Sequence, residues 1–128
     1  MLTESNKILL IDDNQDDLIR LSQVFYDKGI GCRKLIYDAF YDRPLSDVRV
    51  LFMDINLNYA NETDEKKRNA TLKDALNLYI AKNNGPYVLV FWTSNVEWKD
   101  SFLEFMKRDA IDLPVSPLYV TTMAKDDF

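Results

Sequence analysis

Two adjacent aspartates, Asp12 and Asp13, follow the apolar run Lys7–Ile11, and a third, Asp54, closes the run Val48–Met53. Thr93 closes Tyr87–Trp92, and Lys125 follows Leu118–Met123. Each of these polar residues stands where a hydrophobic segment gives way to a polar one. Carboxylates gathered in one cleft repel one another, and a divalent cation relieves the repulsion. Ligands that are all oxygen favour Mg²⁺, with Mn²⁺ also acceptable, over Zn²⁺. A carboxylate beside such a cation is also a nucleophile toward a phosphoryl group, giving an aspartyl phosphate. The cation offsets charge on the phosphoryl oxygens while a lysine and a hydroxyl hold the others.

Each residue also has a plainer reading. Asp12 and Asp13 are good helix-capping types after a strand. Asp54 could be a strand end reaching water, Thr93 an ordinary β-branched strand residue and Lys125 a solvated tail lysine. Only convergence in space separates the two readings, so the elements that carry these residues decide the matter.

Lys7–Ile11 is a short continuous apolar run, the pattern of a strand buried on both faces. Asp13 or Asn14 caps the helix after it. That helix carries Leu18, Leu21, Val24 and Phe25 on one stripe and ends at Gly29. Cys32–Tyr37 reads as a second strand. Ala39–Asp47 is broken by Pro44, so any helix there is brief. Val48–Met53 is a strong strand, and the polar stretch Asn56–Asn69, with "DEKKR" inside it, reads as a solvated loop. Thr71–Lys82 has the clearest helical period, with Leu72, Ala75, Leu76, Tyr79 and Ile80 on one face, stopped by Asn84-Gly85-Pro86. Tyr87–Trp92 is a further strand. Ser94-x-x-Glu97 is a capping box for a helix with Trp98, Phe102, Phe105 and Met106 on one face. Ile111–Pro117 is a connection, and Leu118–Met123 a last strand. Strands alternating with helices imply parallel βαβ units with right-handed crossovers. In such a sheet the carboxyl ends of the strands share one edge, which is where ligands bind.

Composition narrows the chemistry. At 128 residues the chain suits one domain, and 47 % apolar residues suffice for a real core. Acidic residues outnumber basic ones by 21 to 16, for a net charge of −5, which argues against a general nucleic-acid binder. The sequence has no histidine, so no histidine base, phospho-carrier or metal ligand comes from this chain. A single cysteine, Cys32, forms no intrachain disulfide and fits a reducing compartment. There is no apolar stretch near the roughly 18 residues a membrane helix needs, and MLTESNK lacks the features of a signal peptide. A cytoplasmic domain without membrane attachment is expected.

The segments "ILLIDDN" (Ile8 to Asn14), "VLFMDINLN" (Val50 to Asn58) and "VLVFWTSN" (Val88 to Asn95) together resemble the response-regulator receiver domain of two-component signalling. The resemblance runs in order across nearly the whole chain. It implies an α/β fold of the flavodoxin-like, CheY-like kind: a doubly wound, five-stranded parallel sheet in the order 2-1-3-4-5, here with the last helix absent or truncated. Asp54 would be the phosphoacceptor. Asp12, Asp13 and Asp54 would hold Mg²⁺, with the backbone carbonyl of Asn56 added. Thr93 would bond a phosphoryl oxygen, and Lys125 would pair with the phosphoryl group. The phosphoryl donor would be a histidine kinase or a phosphotransfer protein. The output would be a downstream protein or a fused segment, with a homodimer as a further form. Residues 1–128 would then be one receiver-like domain, either part of a longer protein or a shortened chain. It would be a phosphoprotein that forms and loses its own phosphoryl group rather than a conventional enzyme.

Three departures from the receiver pattern bear on that expectation. Asp126, not proline, follows Lys125, and if the fifth strand lay earlier Ser116 would fill the lysine's place. The aromatic switch residue three before the lysine would be Thr122, with Tyr119 the closest aromatic. The family's last helix should begin where the sequence ends. A pseudo-receiver, an interaction module that keeps the fold without the switch, is therefore the alternative. A metal-dependent phosphoesterase is less expected, because Asn56 and Asn58 stand where a second acid near Asp54 would be needed.

Overall fold

Strands that are apolar on successive residues must be covered on both sides, and the protein does this with helices on each face of one sheet. The computed structural model describes residues 7–55, 57, 64–93, 97–108 and 116–125. The elements in chain order are β1 (Ile8–Asp12), α1 (Gln15–Asp27), β2 (Arg33–Ile36), β3 (Val50–Met53), α2 (Glu65–Tyr79), β4 (Val88–Thr93), α3 (Trp98–Arg108) and β5 (Tyr119–Ala124). All strand pairs are parallel, in the order β2-β1-β3-β4-β5. The expected flavodoxin-like α/β architecture is what the chain adopts.

Strand alternation divides the core in two. Leu9, Ile11, Leu51, Met53, Leu89 and Phe91 pack on one side with Leu72, Ala75 and Leu76 of α2 and Phe102 of α3. Leu10, Phe52, Val90 and Trp92 pack on the other with Leu18 and Leu21 of α1 and with Cys32. The two residue sets interleave along every central strand, so a one-residue slip would exchange the faces.

The ends of α1 follow from its sequence. Asn14 is the N-cap, its side chain accepting from Asp17 N at 3.1 Å. At the other end Gly29 takes φ +72°, and its N–H donates to Tyr26 O at 3.0 Å, turning the chain out of the helix.

Helix α2 departs most from expectation. It begins at Glu65 rather than Thr71, because Asp64 caps it by accepting from Lys66 N and Lys67 N. The charged "DEKKR" stretch is thus a cap and a first turn, not a loop. Arg68 and Asn69 are buried there, Arg68 with its guanidinium 3.9 Å from the centre of the Trp98 ring and Asn69 donating to Ser101 Oγ at 3.1 Å. The same Ser101 hydroxyl meets Glu65. Helix α2 also stops at Tyr79, short of Lys82. Leu45 takes over there: its N–H donates to Tyr79 O, and its carbonyl accepts from Ala81 N, both at 2.8 Å. That short parallel bridge between Leu45 and Ile80 replaces the next helical turn. Within Ala39–Asp47 no helix forms; Asp38 closes a turn instead, accepting from Phe40 N at 2.9 Å.

The far edge of the sheet is pinned by Asn84. Its side chain accepts from Val48 N at 2.8 Å and donates to Val48 O at 3.2 Å and Gly85 O at 2.7 Å. Ser94 of the expected capping box and residues 111–115 of the expected connection lie outside the described residues.

Candidate functional site

Strand order reverses between β1 and β3: the chain moves from β1 outward to β2, then returns to lay β3 on the other side of β1. The crevice beyond these two strands is where such sheets bind ligands. Asp12 is the last residue of β1, and Asp54 follows the last residue of β3. Asp54 N donates to Ile11 O at 3.1 Å, extending the β1–β3 ladder one step past the Ile11–Met53 pair. This bond holds the two aspartates side by side.

Both keep the parity of the α1 face, since Asp12 follows Leu10 by two and Asp54 follows Phe52 by two. Asp12 is fully buried and Asp54 is 8 % exposed. Asp13 is exposed at the mouth of the crevice. Carboxylate oxygens of Asp12, Asp13 and Asp54 all lie within 4.8 Å of one another. Asn14, not Asp13, caps α1, so the plainer capping reading of Asp13 falls away.

Lys125 completes the pocket. The β4–β5 register pairs Thr93 with Ala124, so Lys125 begins just past the end of β4. It shares the parity of Met123, which packs against the α1-side core. Its ammonium donates to Asp17 Oδ2 at 2.7 Å, Asp12 Oδ2 at 3.0 Å and Asp54 Oδ2 at 3.2 Å. Ser116 is exposed and precedes β5, so the earlier placement of the fifth strand is excluded. Lys125 therefore stands at the carboxyl end of β5 beside the acidic cluster, with Asp126 rather than proline after it.

Thr93 is buried at the end of β4. By alternation it belongs with Phe91 to the α2/α3 face, so it borders the crevice from the side opposite α1. Tyr119 stands at the other end of β5, paired with Val88 and 62 % exposed, far along the strand from the crevice. Asn56, the expected source of a backbone carbonyl ligand, lies outside the described residues.

The charges explain the titration behaviour. Burial disfavours the Lys125 ammonium, but Asp54 first, then Asp17 and Asp12, outweigh it, and the lysine is held well above its ordinary value. Asp13 is pushed up to about 7 by desolvation first, then by hydrogen bonding and charge repulsion from Asp12 and by the charge of Asp54. Three carboxylates, those of Asp12, Asp17 and Asp54, face one ammonium, and Asp13 clusters with two of them. Their oxygens are hard donors, and Cys32 is buried in the core rather than near them. This donor set fits a small hard dication such as Mg²⁺ or Mn²⁺ better than a soft one.

Sequence reasoning did not find Asp17. It sits in the first turn of α1, where an acidic residue has an ordinary role against the helix dipole. The signal that could have found it is geometric: it lies one turn after an N-cap that itself adjoins two site aspartates. Trp92 belongs to the α1-side core, yet its ring also lies 5.0 Å from the Lys125 ammonium.

Fold and site together define a flavodoxin-like α/β domain with an acidic, lysine-bridged centre at its topological switch point. No family model matches the chain, and no curated protein or solved structure matches it. Among the described residues no helix is long and apolar enough to cross a membrane.

Proposed function

We propose that the domain is a phosphoacceptor receiver of a two-component-type signalling system, accepting a phosphoryl group on Asp54 in a Mg²⁺-dependent reaction. The observation that carries this reading is the Lys125 ammonium 3.2 Å from Asp54 Oδ2, within one cluster with Asp12 and Asp13. An Asp54 oxygen would attack phosphorus as the bond to the donor's leaving group breaks, giving an acyl phosphate. Lys125 and the Thr93 hydroxyl would neutralise and bond the phosphoryl oxygens. Asp12, Asp13 and Asp54 would hold the cation, which supplies charge neutralisation between carboxylates and phosphoryl oxygens. Asn56 would contribute its backbone carbonyl. Hydrolysis of the acyl phosphate would reset the domain, so the chain would not be a conventional turnover enzyme.

With no histidine in the chain, the donor would be a phosphohistidine on a kinase or phosphotransfer protein. The modified state would alter a surface read by a downstream protein, a fused output segment or a second copy. The domain would work in the cytoplasm, away from nucleic acid and membrane. Incubation with phosphoramidate and Mg²⁺ should add one phosphoryl group to the wild type and none to Asp54→Ala, read by intact mass. An unmodified wild type would defeat the proposal.

A pseudo-receiver reading is favoured by one observation, the placement of Tyr119 at the end of β5 remote from the crevice, with Thr122 where a switch aromatic would stand. On that reading partner binding ignores Mg²⁺ and survives Asp54→Asn. A many-fold change in partner affinity on adding beryllofluoride would eliminate it.

A further inference from the structure

We propose that Asp17 is a positioning residue that anchors the Lys125 ammonium and thereby aims its remaining N–H at Asp54. The consequence for phosphoryl transfer rests on the phosphoacceptor reading; the anchoring does not. An ammonium has three N–H groups, and here each has its own carboxylate, with Asp17 the nearest at 2.7 Å. The other two partners, Asp12 and Asp54, belong to the cluster able to hold a cation. Asp12 is further committed, because its Oδ1 accepts from Asn14 N at 3.0 Å. A cation in that cluster draws on Asp12 and Asp54 and leaves Asp17 as the partner that keeps Lys125 in place.

Asp17 is itself well placed for this. Its backbone N–H is held by the Asn14 side chain at 3.1 Å, which sets the first turn of α1. Its two oxygens are divided between cations, Oδ2 to Lys125 and Oδ1 to Arg20 Nη2 at 3.5 Å. Both cations lie over the Trp92 ring, Arg20 at 5.6 Å and Lys125 at 5.0 Å from its centre. Trp92 is thus a built-in reporter of where the ammonium sits.

The test compares Asp17→Asn with Asp16→Asn, a neighbour in the same first turn that loses the same charge and has no bond to Lys125. The first readout is hydrogen exchange of the Lys125 ammonium by ¹⁵N NMR, with Trp92 emission in a Trp98→Phe background alongside. Asp17→Asn should speed exchange by about tenfold and shift Trp92 emission, while Asp16→Asn moves neither. Exchange unchanged within about twofold in Asp17→Asn would overturn the anchoring. Asp17→Glu, which keeps the carboxylate, should restore most of the protection, and should Asp17→Asn fail to fold, equal exchange in Asp17→Glu and Asp17→Ser would overturn it instead.

The second readout is the rate of phosphorylation by phosphoramidate with Mg²⁺. Asp17→Asn should lower it about tenfold without a matching change in its dependence on donor concentration. Faster ammonium exchange with an unchanged phosphorylation rate would overturn the link to phosphoryl transfer. No adduct on the wild type would refute the phosphoacceptor reading alone, with the exchange data still deciding the anchoring.

Discussion

Replacing Lys125 by methionine keeps an unbranched side chain one heavy atom shorter and removes the only cation bonded to Asp12 and Asp54 among the described residues. The ammonium lies 2.7–3.2 Å from three carboxylates, and its side chain is 11 % exposed, against 0 %, 12 % and 22 % for Asp12, Asp54 and Asp17. At an effective dielectric of about 20, one pair at about 3 Å has a gross attraction of about 5 kcal/mol, most of it offset by desolvation. Removing one partner of a buried pair costs about 3–5 kcal/mol, because the other charges stay buried. The partial exposure of Asp17 and Asp54 places the expected loss at the lower end, about 3 kcal/mol.

The same substitution unmasks carboxylates for a dication, so MgCl₂ should recover part of the loss. A hundredfold excess over Kd adds about 2.7 kcal/mol to whichever form binds the ion, and Lys125→Met should bind it more tightly. Because the folded lysine titrates above its unfolded value of about 10.5, its stabilisation is fully present below that pH. It is lost only as pH rises through the higher folded value, so the loss should be the same at pH 7 and pH 9. Urea unfolding in EDTA and in MgCl₂ measures each quantity. A loss under about 0.5 kcal/mol, or one that Mg²⁺ does not reduce, would refute the picture of a charge-balanced pocket.

Other substitutions test separate parts of the structure. Asp13 titrates at about 7 in the fold against an ordinary aspartate value of 3.8, so the folded state keeps a proton that the unfolded state has lost between those values. Its ionisation therefore costs stability as pH rises from about 4 to about 7, and Asp13→Asn should stabilise the protein at pH 8 but not at pH 4. Because the residue is exposed, the gain is screened to about 1 kcal/mol, and urea unfolding in EDTA at the two pH values checks it. Asp64→Ala removes the cap of α2 and should cost about 1 kcal/mol in urea unfolding, where an uncapped loop would show no change. Asn84→Ala strips the bonds to the buried N–H and carbonyl of Val48 and should cost about 2–3 kcal/mol in the same assay.

The strands and their order were legible because the apolar runs are short, continuous and separated by helical periods. Asp12, Asp13 and Asp54 were legible because each breaks such a run on an acidic residue. Lys125 could be placed only by choosing the fifth strand, and the β4–β5 register settles that choice. The start of α2 was hidden because its buried residues are Arg68 and Asn69, paired with Trp98 and Ser101 of α3. A hydrophobic pattern has no sign for a polar interface of that kind. The end of α2 was hidden for a different reason. Leu45, remote in sequence, captures the backbone of Tyr79 and Ala81, and no local propensity encodes that bridge. Asp17 stayed invisible because a first-turn aspartate is common on any helix. Its partner lies 108 positions along the chain.

The most direct measurement of the central claim is borohydride trapping after treatment with phosphoramidate and Mg²⁺, followed by peptide mapping. Reduction of an acyl phosphate leaves homoserine in place of the aspartate that carried it. Homoserine at position 54 alone, lost in EDTA, is the expected result. Homoserine at another aspartate, or none at all, would contradict the assignment of Asp54 as the phosphoacceptor.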